Sequence, residues 1–246
     1  MKARNETQGL LALGILAGVL VFAFNVVGPW SFGGLPAEAA CVLLCLFALS
    51  SFMIAHRQSS FEAREAWGFF TAGFAVWVVL EFLEIMELAG SFSLSYLVVP
   101  ALTVPAYALL LAGLYKACRA VPKPRTANAK TAAALLTAVA AGAVLAGMLY
   151  YGKLDALDWF YAIANVALAG WSIYALTACL ESGETDAPFK LLGAGLLLLA
   201  MHSEVLELTR NGSGAYPHMV YAFDGIRFLG YLFLIWAGER QAKLGA

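Results

Sequence analysis

Eight long apolar runs joined by short polar connectors constrain this chain more than any other feature of its sequence. A helix needs about 20 mostly apolar residues to cross a hydrocarbon core of roughly 30 Å, because each residue adds about 1.5 Å. Helices are expected because an isolated strand leaves backbone groups unpaired in lipid. The runs that approach or reach this length are approximately 9–27, 37–54, 66–88, 93–114, 131–150, 159–180, 188–208 and 216–237.

Composition places the chain in the same class. Hydrophobic residues make up 62% of the 246 residues and charged residues 13%, with a net charge of −1. A soluble domain averages about a quarter charged residues, and a nucleic-acid-binding protein carries a basic surface. These values exclude a cytosolic enzyme, a disordered tail and a nucleic-acid partner. The sequence therefore predicts an all-α, polytopic membrane bundle of eight helices, with residues 1–246 forming a single domain in a lipid bilayer.

The distribution of basic residues predicts the orientation, because cytoplasmic loops are enriched in Lys and Arg. Twelve Lys and Arg residues fall in connectors or ends on one side of the predicted bundle, and the other side holds only Lys153 and Arg210. We therefore expect a multi-pass protein of the plasma or inner membrane with both termini in the cytoplasm. The run at 9–27 is longer than the apolar part of a signal peptide and is predicted to be retained. The predicted cytoplasmic residues are Lys2, Arg4, Arg57, Arg64, Lys116, Arg119, Lys123, Arg125, Lys130, Lys190, Arg240 and Lys243.

A repeated carboxylate pattern invites a search for internal duplication. The third run contains Glu81 and Glu84, and the seventh contains Glu204 and Glu207 in the same E-x-x-E spacing. One interpretation is two parallel four-helix repeats, residues 1–120 and 131–246, joined by a cytoplasmic linker at 121–130. The other is chance similarity, which arises easily in low-complexity apolar sequence. The basic linker region is interpreted either as a plain connection or as a contact for anionic lipid.

Glu81, Glu84, Glu204 and Glu207 are the strongest candidates for a functional site, because an ionisable side chain inside a span is energetically costly. Spacing of i, i+3 keeps the two carboxylates of each pair on one side of a helix. Four carboxylates facing one outward pocket would hold protons or recruit a hard cation. The sequence thus indicates a site for a divalent metal ion or for protons. The alternative is that these groups face water or serve as hydrogen-bonded structural polarity.

The eighth run carries a second set of buried polar residues, with Tyr221, Asp224 and Arg227 spaced three apart. Arg227 falls near the middle of the span, where an unpaired guanidinium is hardly tolerated. Asp224 is its expected partner, in either an ion pair that fixes helix packing or a proton relay. His202 is a candidate accessory ligand. However, it precedes Glu204 by two residues, and the two side chains would point about 200° apart on a regular helix.

Cysteines add one further candidate. Cys41 and Cys45 share one face of the second run, and Glu38 lies a turn before them. Thiols at i, i+4 suit a soft metal, although apolar free cysteines also pack as small hydrophobic side chains. Both interpretations stay open.

Three functions are compatible with this pattern. The first is cation transport or binding at the carboxylate cluster. The second is a non-catalytic sensor or scaffold subunit that receives a ligand, a partner helix of another membrane protein, or a second copy of itself. The third is an intramembrane metalloenzyme. The sequence lacks a P-loop, G-x-S-x-G, H-E-x-x-H and C-x-x-C, motifs of common catalytic sites, so a non-enzymatic role is favoured.

Overall fold

The chain folds into long helices in a computed structural model that describes residues 35–90, 98–120, 127–151, 156–180, 187–211 and 217–245. In these ranges there are seven helices and no strands, which confirms the all-α prediction. The predicted run at 9–27 lies outside the described residues. The helices are α1 (Leu35–Gln58), α2 (Phe61–Leu88), α3 (Val98–Ala120), α4 (Ala127–Tyr151), α5 (Ala156–Leu180), α6 (Ala187–Asn211) and α7 (Pro217–Gly245).

Four segments of the described residues are long and apolar enough to cross a membrane. They are Glu38–Gln58, Ala63–Glu87, Val98–Arg119 and Trp159–Thr177. Two shorter apolar segments lie at Ala133–Ala146 in α4 and Ala187–Ser203 in α6. The membrane class is therefore supported by four helices, and the count of eight spans stays a prediction.

Six of the helices form a ring, in which each helix packs against two neighbours. Around the ring the order is α1, α2, α3, α5, α6 and α7, and α7 closes it against α1. The remaining helix, α4, lies outside the ring against α5, with a smaller contact to α6. The chain therefore skips α4 when it passes from the first half of the ring to the second.

Aromatic side chains fill the centre of the ring. Trp67 of α2 stacks on Phe189 of α6, with ring centroids 6.0 Å apart. Phe52 of α1 lies 5.4 Å from Trp67 and 4.9 Å from Phe74, again between centroids. Phe52, Trp67 and Phe74 are fully buried. Dense aromatic packing of this kind leaves little free volume along the axis of the ring.

The outer surface of the bundle is apolar. Val139 on α4 and Ile163 on α5 are 68% and 66% exposed, and Leu135 is 61% exposed. A helix that is apolar on its outer as well as its inner face suits lipid, whereas a soluble bundle places polar residues outside. This surface agrees with helices that contact a bilayer.

Charged side chains are concentrated at the two ends of the bundle. The acidic end, as we call it, holds Glu38 at the start of α1 and Glu84 and Glu87 at the end of α2. The basic end holds Arg57 in the last turn of α1 and Arg119 in the last turn of α3. A tight turn joins α1 and α2 at this basic end.

Candidate functional site

Arg227 lies at the centre of a cluster of charged residues near the acidic end. The residue is 7% exposed and projects from α7 towards α1 and α2. Its Nη1 donates to both carboxylate oxygens of Glu38, at 3.2 and 3.0 Å. Its Nη2 donates to Oε2 of Glu81 and lies 3.8 Å from Oε2 of Glu84. One guanidinium therefore joins three carboxylates from two other helices.

Glu81 is the most deeply buried carboxylate of the cluster, at 3% exposure. Its Oε2 accepts the hydrogen bond from Arg227, and its Oε1 accepts from the Tyr231 hydroxyl. The same Oε1 accepts from Nε1 of Trp77 at 3.0 Å. A buried carboxylate needs this number of donors, because the energetic penalty of burying a charge without partners is large.

Helical spacing explains why these side chains meet. Trp77 and Glu81 are four residues apart on α2, and Arg227 and Tyr231 are four residues apart on α7. Residues at i and i+4 share one face of a helix. The polar face of α2 and the polar face of α7 are turned towards each other, and both helices pack against α1. Each helix therefore contributes one stripe of polar groups to the same depth of the bundle.

Exposure increases stepwise towards the acidic end. The Glu81 side chain is 3% exposed, the Glu38 side chain 25% and the Glu84 side chain 51%. The cluster is thus closed on the side of the aromatic core and open on the other. With all three carboxylates ionised, negative charges exceed the single guanidinium by two. An opening with this charge balance attracts cations.

Two cysteines border the charged groups on α1. Cys41 is 1% exposed and Cys45 is fully buried. One ligand atom each from Glu38, Cys41 and Glu81 lie within 4.8 Å of one another, close enough to hold a single metal ion. A thiolate and two carboxylates are a ligand set that Zn²⁺ accepts. The sequence interpretation of Cys41 as a soft ligand therefore has a geometric counterpart, with carboxylates rather than Cys45 completing the set.

The structure brings together some of the predicted site residues and leaves others undescribed. Glu81 and Glu84 lie at the cluster, and His202 is buried on α6 at 6% exposure. The predicted four-carboxylate pocket stays a prediction, as does the partnership of Asp224 with Arg227. The candidates whose side chains fall outside the described part of the chain are Glu204, Glu207, Tyr221 and Asp224.

Sequence reasoning missed three members of the cluster as functional groups. The sequence singles out Glu38 only as a neighbour of the cysteines, and it does not single out Trp77 or Tyr231. A usable signal existed for Glu38, since it shares a face with Cys41 and Cys45 at the start of an apolar run. For Trp77 the signal is its spacing of four residues from Glu81.

A second buried polar pair lies at the interface between α3 and α5. The Tyr107 hydroxyl of α3 donates to Oδ1 of Asn165 on α5. The Tyr107 ring also packs edge-on against Trp77, with centroids 5.5 Å apart. Polar groups therefore extend from Arg227 through Glu81 and Trp77 to the α3–α5 interface.

Comparison of the chain with protein-family models, with curated proteins and with solved structures gives no match. The fold and the cluster therefore define the class on their own. The protein is an α-helical bundle with helices able to span a membrane and with a cluster of carboxylates and cysteine around one buried arginine.

Proposed function

We propose that this protein is a multi-pass membrane protein that binds a divalent cation at the acidic end of its bundle. The observation that carries the proposal is the convergence of Glu38, Cys41 and Glu81, whose ligand atoms lie within 4.8 Å of one another. The excess of carboxylates over guanidinium supports it. The mixed thiolate and carboxylate set favours Zn²⁺ over Ca²⁺, which takes six to eight oxygen ligands.

Arg227 competes with the cation for the same carboxylates. A guanidinium that donates to Glu38 and Glu81 cannot keep both contacts when a dication binds between those residues, because the two cations repel each other. Glu84, 3.8 Å from Nη2 of Arg227, offers an alternative partner for the displaced guanidinium. Cation binding is thus coupled to a movement of Arg227 relative to α1 and α2, which is the type of change that a sensor needs.

Metal binding by the purified full-length protein tests this proposal. Isothermal titration with Zn²⁺ is expected to give one site, and Ca²⁺ at the same concentration is expected to give no comparable heat. Glu38→Gln and Cys41→Ser each remove one ligand and should weaken Zn²⁺ binding by at least about tenfold. Glu65→Gln is the matched control, because Glu65 lies on α2 at the basic end and pairs with Lys116 at 2.6 Å.

Two outcomes would contradict the proposal. One is purified, well-folded protein that shows no Zn²⁺ heat and contains no stoichiometric metal in elemental analysis. The other is an equal weakening by Glu65→Gln, which would place the metal elsewhere. Folded yield and elution volume of each variant separate a lost ligand from a lost fold.

The packing beneath the cluster favours binding without conduction. Tyr231 and Phe74 lie below Glu81 with centroids 6.4 Å apart, and both are fully buried. Phe52 and Trp67 continue this layer towards the basic end. A sensor or scaffold role is therefore the second candidate function, with the cation as its signal. Uptake of ⁶⁵Zn²⁺ into liposomes that contain the protein would instead favour transport.

We also infer that the two halves of the ring are structural repeats. Gly73 of α2 faces Leu110 of α3, and Gly195 of α6 faces Leu234 of α7. A Cβ added at Gly73 would lie 3.0 Å from the nearest Leu110 atom, and one added at Gly195 would lie 2.6 Å from the nearest Leu234 atom. The glycines are 122 positions apart and the leucines 124. The helix contacts support the same relation, because α2 packs against both α1 and α3 as α6 packs against both α5 and α7.

If the halves are repeats, the cluster around Arg227 and the Tyr107–Asn165 pair occupy related positions but differ in their residues. Tyr107 and Tyr231 are 124 positions apart, and each donates a hydrogen bond to a side chain on another helix. At the same spacing Asn165 corresponds to Cys41, and Thr103 corresponds to Arg227. The described counterparts therefore differ, because Thr103 and Asn165 are neutral where Arg227 and Cys41 belong to the charged cluster, while Glu204 is the sequence counterpart of Glu81.

A further inference from the structure

A wide apolar groove lies on the outside of the ring, between α3 and α4 and above α5. Its volume is about 1130 Å³. Small side chains line much of the α4 wall and part of the α5 floor, and alanine leaves space there that a larger residue would fill. Those small residues are Ala133, Ala134, Ala138, Ala141, Ala162, Ala167 and Gly170.

Close packing of α4 on α5 keeps the groove in place. A Cβ added at Gly170 would lie 2.7 Å from Cγ2 of Thr137, so the two helices meet directly at this point. Contacts between small residues are typical of helix pairs in lipid. In the described residues α3 packs on α5 and not closely on α4, and the space between α3 and α4 forms the groove.

The basic end of the groove is polar and aromatic. Arg119 of α3 lies over the Tyr115 ring, with Cζ 5.4 Å from the centroid. Tyr115 also packs edge-on against Trp171 of α5 at 5.9 Å, and Trp171 packs against Tyr174 at 6.0 Å. All four residues line the groove, and Tyr115 and Trp171 are 44% and 38% exposed. Tyrosine and tryptophan beside a cation are characteristic of the membrane interface.

We propose that this groove binds one anionic phospholipid. The acyl chains lie along the alanine surface, and Arg119 donates to the phosphate, assisted by the hydroxyls of Tyr115 and Tyr174. Arginine suits this task because its planar guanidinium makes two parallel hydrogen bonds to a phosphate. The charge of Arg119 at the end of an otherwise apolar groove selects a lipid over an apolar helix of another protein. Selectivity among lipids comes from the headgroup, since an apolar groove is equally compatible with every acyl chain.

Native mass spectrometry of the full-length protein tests the proposal. The protein is released from nanodiscs that contain equal amounts of phosphatidylglycerol and phosphatidylcholine. One retained phosphatidylglycerol per chain is expected, with a clear preference over phosphatidylcholine. Arg119→Gln should lower that preference about fivefold, the effect expected of one basic residue at a membrane surface. Ala141→Phe fills the groove and should lower retention of both lipids.

Arg57→Gln is the matched control, because Arg57 is an exposed arginine at the same end of the bundle but on α1. An equal loss of preference in Arg57→Gln would overturn the proposal in favour of a general surface charge effect. Competition by inorganic phosphate distinguishes a lipid site from a phosphate site, and displacement of the lipid signal by phosphate alone would refute the acyl contribution. A dimer mass without lipid, abolished by Ala141→Phe, would identify a second copy of the chain as the occupant instead.

Discussion

At the scale of single residues, Arg227 and Glu81 show how a charge is accommodated inside an apolar bundle. Both are buried, and their hydrogen bonds to each other, to Glu38 and to Tyr231 replace the water that they lose on folding. A buried pair of this kind contributes little net stability relative to apolar residues, but the loss of one partner leaves an uncompensated charge. The energetic consequence of a substitution therefore depends on whether the partner is also changed.

We predict that Arg227→Met destabilises the protein by about 3–5 kcal/mol, because Glu38 and Glu81 lose their shared counter-charge. Adding Glu81→Gln should restore much of this loss, since glutamine still accepts hydrogen bonds from Trp77 and Tyr231. Reversible unfolding of the detergent-solubilised protein in mixed micelles measures both effects.

Glu84→Gln provides the comparison on the same helix, and it should change the free energy of unfolding by less than about 1 kcal/mol because its side chain is half exposed. If the double variant were as unstable as the sum of its two single changes, the direct Arg227–Glu81 interaction would be refuted.

The residue scale also shows where sequence reasoning succeeds and where it stops. A mid-span arginine and a deep glutamate are visible in the sequence because charges are rare in apolar runs. Their partners on other helices are not visible, because spacing along one helix identifies only neighbours on that same helix. Contact with Glu38, 189 positions away, is set by the packing of α7 on α1. Local periodicity carries no information on which helices become neighbours in the ring.

At the scale of helices, the positions and lengths of the apolar runs predict most of the observed helices. The runs predicted at 37–54, 66–88 and 159–180 lie within α1, α2 and α5, which extend to Leu35–Gln58, Phe61–Leu88 and Ala156–Leu180. The helices begin earlier or end later than the apolar runs, because polar residues at the ends continue the backbone hydrogen bonds beyond the apolar core. Gly90, with φ of 72°, follows the end of α2 in a conformation that favours glycine.

Close helix contacts at glycine yield a prediction at this scale. A Cβ at Gly195 would lie 2.6 Å from Cγ of Leu234 and 2.8 Å from the backbone oxygen of Gly230, whereas Gly73 faces only side-chain atoms, at 3.0 Å or more. Gly195→Ala should therefore destabilise the protein by about 1–3 kcal/mol. Gly73→Ala should have a smaller effect, because Leu110 can adjust. Thermal unfolding in detergent measures which of the two variants is less stable.

Gly142→Ala is the control for helix propensity, since a Cβ at Gly142 meets nothing within 4 Å. This substitution should leave stability unchanged or raise it by up to about 1 kcal/mol. A Gly195→Ala protein as stable as Gly142→Ala would contradict the close α6–α7 packing.

At the scale of the whole molecule, the two proposed binding sites lie in different parts of the bundle. The cluster around Arg227 opens at the acidic end, and the aromatic layer of Phe52, Trp67 and Phe74 closes the bundle below it. The apolar groove along α4 and α5 lies outside the ring, and only its Arg119 end reaches the basic end. Sequence reasoning located the charges of both ends but not the ring, because helix order around a bundle depends on long-range packing.

The orientation of the molecule in the membrane follows from the charges at its two ends. Basic residues are retained on the cytoplasmic side, so the basic end should face the cytoplasm and the Arg227 cluster the exterior. Arg57→Cys and Glu87→Cys place single reporters on exposed positions at the two ends. A membrane-impermeant maleimide applied to intact cells should label Glu87→Cys and leave Arg57→Cys unlabelled until the cells are permeabilised. The unsubstituted chain corrects for its own cysteines, and labelling in the reverse order would place the cation site on the cytoplasmic side.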